Sequence, residues 1–255
     1  MTFEVAGNAY DRFMGRYSRE LAPALIEFAG IEPGMRVLDV GCGPGALSEQ
    51  LAGVVGAERL GAVDPSEPFV AACMERVPGA DVRQGSAEEL PWEDDAFDAA
   101  LSQLVVNFMR DAPAGASEMH RVARPAGVIA ACTWDYADGM EMLKAFWAAA
   151  RTLDDAAPDE GRTMRYRSTE ELDQLWREAG ADDVETGYLM VDTTYSGFDD
   201  FWEPFTFGVG PAGAYYAGLQ PHRQEELRER LFENVGSPDG SFSLSARACA
   251  VRGTS

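Results

Sequence analysis

A strand-like run, Val37-Leu38-Asp39-Val40, leads straight into Gly41-Cys42-Gly43-Pro44-Gly45, and helical period resumes at Ala46. This junction constrains the fold more than any other stretch. Glycine supplies left-handed backbone and lets a ligand approach the main chain closely, and three glycines at alternate positions exceed what turning alone requires. We read the turn as the floor of a small-molecule cofactor site, with a bare strand-to-helix turn as the alternative.

Strand-length apolar runs alternate with segments of helical period on either side of it, the pattern of a parallel sheet covered on both faces by helices. Strands are expected at Arg36 to Val40, Leu60 to Val63, Asp81 to Gln84, Phe97 to Ser102 and Val128 to Thr133. Helices are expected around Ala46 to Val55, Glu67 to Arg76 with Ser66 as its cap, Ala114 to Val122 and Gly139 to Leu153. Ser168-Thr169-Glu170-Glu171 reads as a capping box that opens another helix, stopped at Ala179-Gly180. Val184 to Thr194 and Ser241 to Val251 alternate like half-exposed strands and form the antiparallel end of the sheet. The fold class is α/β, a doubly wound, seven-stranded, mostly parallel sheet. We expect a single domain over 1–255, with an N-terminal helix within 1–30, a cofactor-binding half at 31–136 and a substrate half at 137–255. The last contains an insert at about 196–240, rich in aromatics and with a charged helix from about Arg223 to Glu233, which reads as a lid.

Forty-three acidic residues against 21 basic ones give a net charge of −22, which disfavours nucleic acid and anionic membranes as partners. Lys144 is the only lysine. Cys42, Cys73, Cys132 and Cys249 lie far apart with no C-x-x-C pair, so no zinc site is expected and free thiols are. No stretch approaches the ~18 apolar residues that cross a bilayer, and no leader pattern precedes Tyr10. A soluble, cytoplasmic protein is expected.

Gly41, Gly43 and Ala46 also satisfy a dinucleotide fingerprint, with Asp64 at a distance suited to a ribose diol. Against a dinucleotide stand Asp39, two residues before the first glycine, and Pro44 inside the turn, since a carboxylate repels pyrophosphate and favours a cation. S-adenosylmethionine, with a sulfonium and no phosphate, suits such a pocket. The series VLDVGCGPG, GAVDPS, RQGSAEELPWEDDAFDAALSQ and EMHRVARPAGVIA, in that order from Val37 to Ala130, resembles the successive motifs of class I S-adenosylmethionine-dependent methyltransferases, especially the type 11 family, and so implies their Rossmann-like fold.

The resemblance implies that Asp39, Gly41, Cys42, Gly43 and Gly45 approach the methionine part of the cofactor, and that Asp64, with Pro65 and Ser66 beside it, serves the ribose. It implies an adenine turn at Ser86, Ala87 and Glu88, although many family members have aspartate where Ser86 stands. Ser102 and Gln103 match the fourth strand's end, beside the cofactor. Val105 to Phe108, with Asn107 among them, match the helix start where substrate often sits. Tyr10 and Tyr17 fall on a segment that looks like the family's leading helix. Trp134 follows the fifth strand at its ligand-binding end, and Trp202 and Phe205 are the insert aromatics singled out for the substrate pocket, against a packed aromatic core as the alternative. His222 is a weak candidate base and His120 a surface residue. The implied activity is methyl transfer to a small organic acceptor, leaving S-adenosylhomocysteine. A protein that binds S-adenosylmethionine without transferring methyl is the alternative, and a nicotinamide-dependent oxidoreductase a third.

Overall fold

The computed structural model describes residues 11–255. Its strands are β1 (Val37–Val40), β2 (Leu60–Asp64), β3 (Asp81–Gln84), β4 (Phe97–Gln103), β5 (Ala123–Trp134), β6 (Asp182–Tyr195) and β7 (Phe242–Thr254). The α-helices are α1 (Arg16–Ala29), α2 (Ala46–Val55), α3 (Glu67–Arg76), α4 (Ala112–Val122), α5 (Glu141–Leu153), α6 (Glu160–Thr163), α7 (Thr169–Glu178), α8 (Phe198–Trp202), α9 (Gly210–Ala217) and α10 (Pro221–Asn234). The sheet runs β3-β2-β1-β4-β5-β7-β6. Strands β1 to β5 pair in parallel, and β7 runs antiparallel to β5, from Val128 opposite Thr254 to Trp134 opposite Ala248. Strand order reverses beside β1, and in open α/β sheets that switch point, at the carboxyl ends of the strands, is where ligands bind.

The chain divides into two compact units. The larger comprises Ser18–Trp134, Arg165–Leu189 and Ala248–Ser255. β1 and β2 are buried along their whole length, as a sheet covered on both faces demands. Leu38, Val40, Phe97, Ile129 and Val251 of the strands pack with Met119 and Val122 of α4 and with Leu172, Leu175 and Trp176 of α7. The Trp176 indole is fully buried and donates to the Ile129 carbonyl at 3.1 Å, so its one polar atom stays satisfied in the core. The expected cap of α7 is present: Ser168 Oγ accepts from Glu171 N at 3.3 Å, while the Glu171 carboxylate accepts from Arg167 N at 2.8 Å.

Two local expectations are corrected. Strand β5 begins at Ala123, five residues before the expected Val128, because Ala123 already pairs with Phe97 and Pro125 falls within the irregularity that follows. Ala126 adopts φ +62° there, and a Cβ on Gly127 would lie 2.7 Å from the Arg124 carbonyl and 2.9 Å from that of Asp98. Ser66 sits at the N-cap of α3, but its side chain makes no capping bond. Its backbone N–H is instead held by the Asp64 carboxylate at 2.9 Å.

The smaller unit runs through Tyr17, then Asp135–Met164 and Met190–Arg247. Its core is aromatic. Phe205 is fully buried, stacked on Phe146 of α5 with centroids 4.7 Å apart, and meets the rings of Phe13, Phe201 and Trp202. Aromatic pairs of this kind contribute about 0.5–1.5 kcal/mol each beyond area burial. Tyr17 and Tyr195 share a buried hydrogen bond at 2.7 Å, and Arg16, over the Tyr195 ring, pairs with Asp200 at 2.8 Å. Lys144, half-exposed on α5, lies 3.7 Å from Asp138.

Glu160 is a buried acid in this unit, bonded to the Trp147 indole at 3.0 Å. Burial pushes its carboxyl up to about 7, against the opposing hydrogen bond from Trp147. A folded-state pKa above the unfolded one means that the unfolded chain gives up this proton first. The contribution of Glu160 to stability is therefore fully present below about pH 4.5 and lost as pH rises to about 7. In urea denaturation across that window, wild type should lose stability relative to Glu160→Gln, whose amide keeps the Trp147 bond without a charge to bury. A difference between the two that does not change with pH would refute this.

Candidate active site

The glycine turn opens where β1 ends. The N–H groups of Gly41 and Cys42 both bond the Val63 carbonyl of β2, at 2.8 and 3.0 Å, and Gly45 N closes the turn on the Cys42 carbonyl at 2.9 Å. Gly41, Gly43 and Gly45 have φ of +77°, +51° and +93°. At Gly41 a Cβ would stand 2.5 Å from the Val105 side chain, so glycine is needed there for packing as well as for backbone. At Gly43 a Cβ would meet nothing within 4 Å, which leaves that side of the turn open.

Asp64, at the end of β2, accepts from Gly43 N through one oxygen and from Ser66 N through the other, both at 2.9 Å. Burial raises its pKa, against those two backbone bonds. Asp39, within β1, is fully buried. One of its oxygens accepts from Ser48 Oγ of α2 at 2.6 Å, and the other has no hydrogen-bond partner among the described residues. Burial pushes the carboxyl up to about 7, opposed by the Ser48 hydroxyl and reinforced by the charge of Asp64. A buried, half-satisfied acid is costly unless something completes its shell. A cation-bearing ligand would do so, and the residues present therefore fit a sulfonium-bearing cofactor.

The adenine turn expected at Ser86, Ala87 and Glu88 follows β3 and is tied to the end of β2, since Gly85 N bonds the Asp64 carbonyl at 3.1 Å and Gln84 reaches the Pro65 carbonyl at 3.0 Å. Ser86 donates to the Glu88 carboxylate, whose other oxygen accepts from Arg110 N at 2.8 Å and Asp111 N at 3.3 Å. Ser102 Oγ bonds the Val40 carbonyl at 3.0 Å, and Gln103 Nε2 bonds that of Ser18 at 3.0 Å. The Gln103 carbonyl oxygen is buried and has no partner among the described residues.

The structure thus brings together, in the larger unit, Asp39, Gly41 to Gly45, Asp64, Pro65, Ser66, the Ser86 to Glu88 turn, Ser102 and Gln103. Asn107 lies on the short 3-10 turn Val106–Phe108 after β4, and Trp134 is buried at the end of β5. Tyr17, Trp202 and Phe205 belong to the smaller unit and make the ring and hydroxyl contacts given above. Tyr10 lies outside the described residues. His120 is half-buried on α4, with Ser255 Oγ on its carbonyl, and His222 is exposed at the start of α10. All four cysteines are free and buried. Among the described residues no cluster of three metal-ligating side chains occurs and no helix is long and apolar enough to cross a membrane.

One participant, Ser48, escaped the sequence reading, and a second, Val105, was read only as part of the helix start after β4. Ser48, which holds Asp39, is a polar residue on the otherwise apolar buried face of α2, a signal that was present in the helical period. Val105 closes over Gly41 after Leu104 turns through φ +63°, which nothing in the sequence announces.

Residues 38–131 match a family model described as a methyltransferase domain, that of type 11. Over that stretch, a little more than a third of the chain, the sequence is similar to methyltransferase domains. An uncharacterised protein of Mycobacterium bovis is 36% identical over 122 residues, covering 45% of this chain and 42% of that one. A malonyl-[acyl-carrier protein] O-methyltransferase of Serratia marcescens is 29% identical over 161 residues, 56% of this chain and 62% of that one. The chain therefore matches less than two thirds of the length of these relatives. Among solved structures, a candidate methyltransferase of Bacillus halodurans superposes with a TM-score of 0.59 at 16% identity, over 91% of this chain and 97% of that one, which establishes the shared fold.

Asp39 gives this site a pH signature. Protonated below about pH 7, it offers a cation no charge. Affinity for S-adenosylmethionine should rise between about pH 6 and 8 and level above, while Asp39→Asn flattens the dependence. Calorimetric titration at three pH values reads this directly, and an unchanged profile in the variant would remove Asp39 from the cation's surroundings.

Proposed function

We propose that the protein transfers a methyl group from S-adenosylmethionine to a small organic acceptor by direct displacement. The observation that carries this reading is the buried Asp39 oxygen with no partner among the described residues, together with the open side of the turn at Gly43. When bound, S-adenosylmethionine supplies an electrophilic methyl on a sulfonium. Asp39 and the turn from Gly41 to Gly45, with Cys42 among them, hold its methionine end, Asp64 accepts from the ribose hydroxyls beside Pro65 and Ser66, and Ser86, Ala87 and Glu88 edge the adenine. Ser102 and Gln103 line the cofactor at the end of β4, and Asn107 and Trp134 face the acceptor.

Displacement at a methyl needs a nucleophile in line and near contact, so these residues contribute chiefly by orienting the reactants and excluding water. An acceptor that must lose a proton needs a base, and no side chain is assigned that role. For Trp202 and Phe205 the ring contacts favour the aromatic-core role. We place the protein in the cytoplasm and assign it neither nucleic acid nor membrane as partner.

The decisive test is calorimetric titration with S-adenosylhomocysteine and, separately, NADH. Binding of the former alone, at micromolar affinity, is the expected result, with Asp64→Ala weakening it about ten- to a hundred-fold, the loss of a charged hydrogen-bonding group. NADH binding alone would overturn the reading. S-adenosylhomocysteine release across an acceptor panel then separates transfer from binding without transfer.

A further inference from the structure

In a chain of net charge −22, many arginines are paired with carboxylates. In the larger unit Arg121 pairs with Glu118 and Asp94, Arg124 with Asp98, Arg177 with Asp173 and Arg252 with Glu185. Arg165, like Arg36 and Arg59, is in no ion pair among the described residues, and what sets it apart is its place and orientation. It is exposed, and its only side-chain hydrogen bond among the described residues goes to a neutral group, from Nη2 to Tyr166 Oη at 2.9 Å. Its guanidinium also lies 4.9 Å from the Tyr166 ring centroid, so ring and hydroxyl together hold the charge in one orientation.

The backbone that carries this pair is itself fixed. Tyr166 has φ +53°, a conformation uncommon and strained for an aromatic residue, and strain of this sort gathers at functional sites. Its carbonyl accepts from Thr133 Oγ1, and the next carbonyl, that of Arg167, accepts from Cys249 Sγ at 3.4 Å. Thr133 and Cys249 face each other across β5 and β7, next to the last residue of β5. Cys132, one residue earlier, pairs with Gln103 at the end of β4. A cation oriented by Tyr166 and without a carboxylate partner among the described residues is therefore anchored at the carboxyl end of the strand beside the cofactor site, the edge at which such sheets bind ligands.

We propose that Arg165 is a specificity-determining residue that reads an anionic group, a carboxylate or a phosphate, on the methyl acceptor. The inference rests on the methyl-transfer reading above and adds the charge class of its substrate. A guanidinium presents five N–H donors in a planar fork matched to both groups, and only Nη2 is engaged with Tyr166. A fixed cation at this edge also offsets the repulsion that an anionic substrate meets from so acidic a protein.

The test uses the full chain saturated with S-adenosylhomocysteine and three calorimetric probes of similar shape: benzoate, phenyl phosphate and the neutral benzamide. At least one anion should bind ten-fold or more tightly than benzamide, the tighter of the two identifying the charged group, and should weaken as salt is raised. Arg165→Ala should abolish that preference and Arg165→Lys restore part of it, with affinity for S-adenosylhomocysteine and melting temperature unchanged. Equal binding of benzamide, an unchanged preference in Arg165→Ala, or no binding of either anion overturns the inference and leaves the methyltransferase reading standing. Failure of S-adenosylhomocysteine itself to bind overturns that reading and this inference with it.

Discussion

Two backbone N–H groups, from Gly43 and Ser66, converge on the carboxylate of Asp64, and the cofactor side of the sheet is organised around that convergence. The side chain draws the turn after β1 and the turn after β2 onto one anchor, while Val63, the residue before it, receives Gly41 and Cys42 through its carbonyl. Four N–H groups that a helix start and a tight turn would otherwise leave unsatisfied thus find acceptors in two consecutive residues. The two bonds to Asp64 are charge-assisted when its carboxyl is ionised, and then stronger than the two to the Val63 carbonyl.

The acids of this protein fall into two populations. Exposed or half-buried ones such as Asp81, Glu118, Asp173 and Asp200 are held low by arginine partners and keep their charge. Asp39, Asp64 and Glu160 are pushed up by burial, and each is held chiefly by neutral donors: a serine hydroxyl, two backbone amides and an indole. The excess negative charge is thus held ionised at the surface, while burial disfavours the charged form of the interior acids. A cationic ligand meets attraction at both scales; an anionic one needs a local exception.

Much of this was legible in the sequence. β1, its glycine turn and β2 were read within a residue of their ends because uninterrupted burial leaves an uninterrupted apolar run, and Asp39 and Asp64 stood out as acids at the edges of such runs. β5 was read too short because Pro125 looks like a terminator, whereas the sheet accommodates it at an irregularity. Ser66 stands at the N-cap as expected but makes no side-chain cap, since Pro68 has no N–H to offer and Phe69 N bonds the Ser66 carbonyl at 3.0 Å. The insert aromatics were ambiguous for a different reason. Phe205 stacks on Phe146, far away in sequence, and aromatic density within one segment does not say whether its rings find each other, a distant helix or a ligand.

Gly41 and Gly43 look interchangeable in the sequence and share a left-handed backbone, yet their surroundings are opposite. A methyl group at 41 would be driven into Val105 and would injure the fold; one at 43 would enter open space and compete with whatever occupies it. The turn therefore carries two separate vulnerabilities two residues apart, one belonging to architecture and one to ligand. A chain altered at the second position can remain built while losing its occupant, so assembly and occupancy come apart within a single loop.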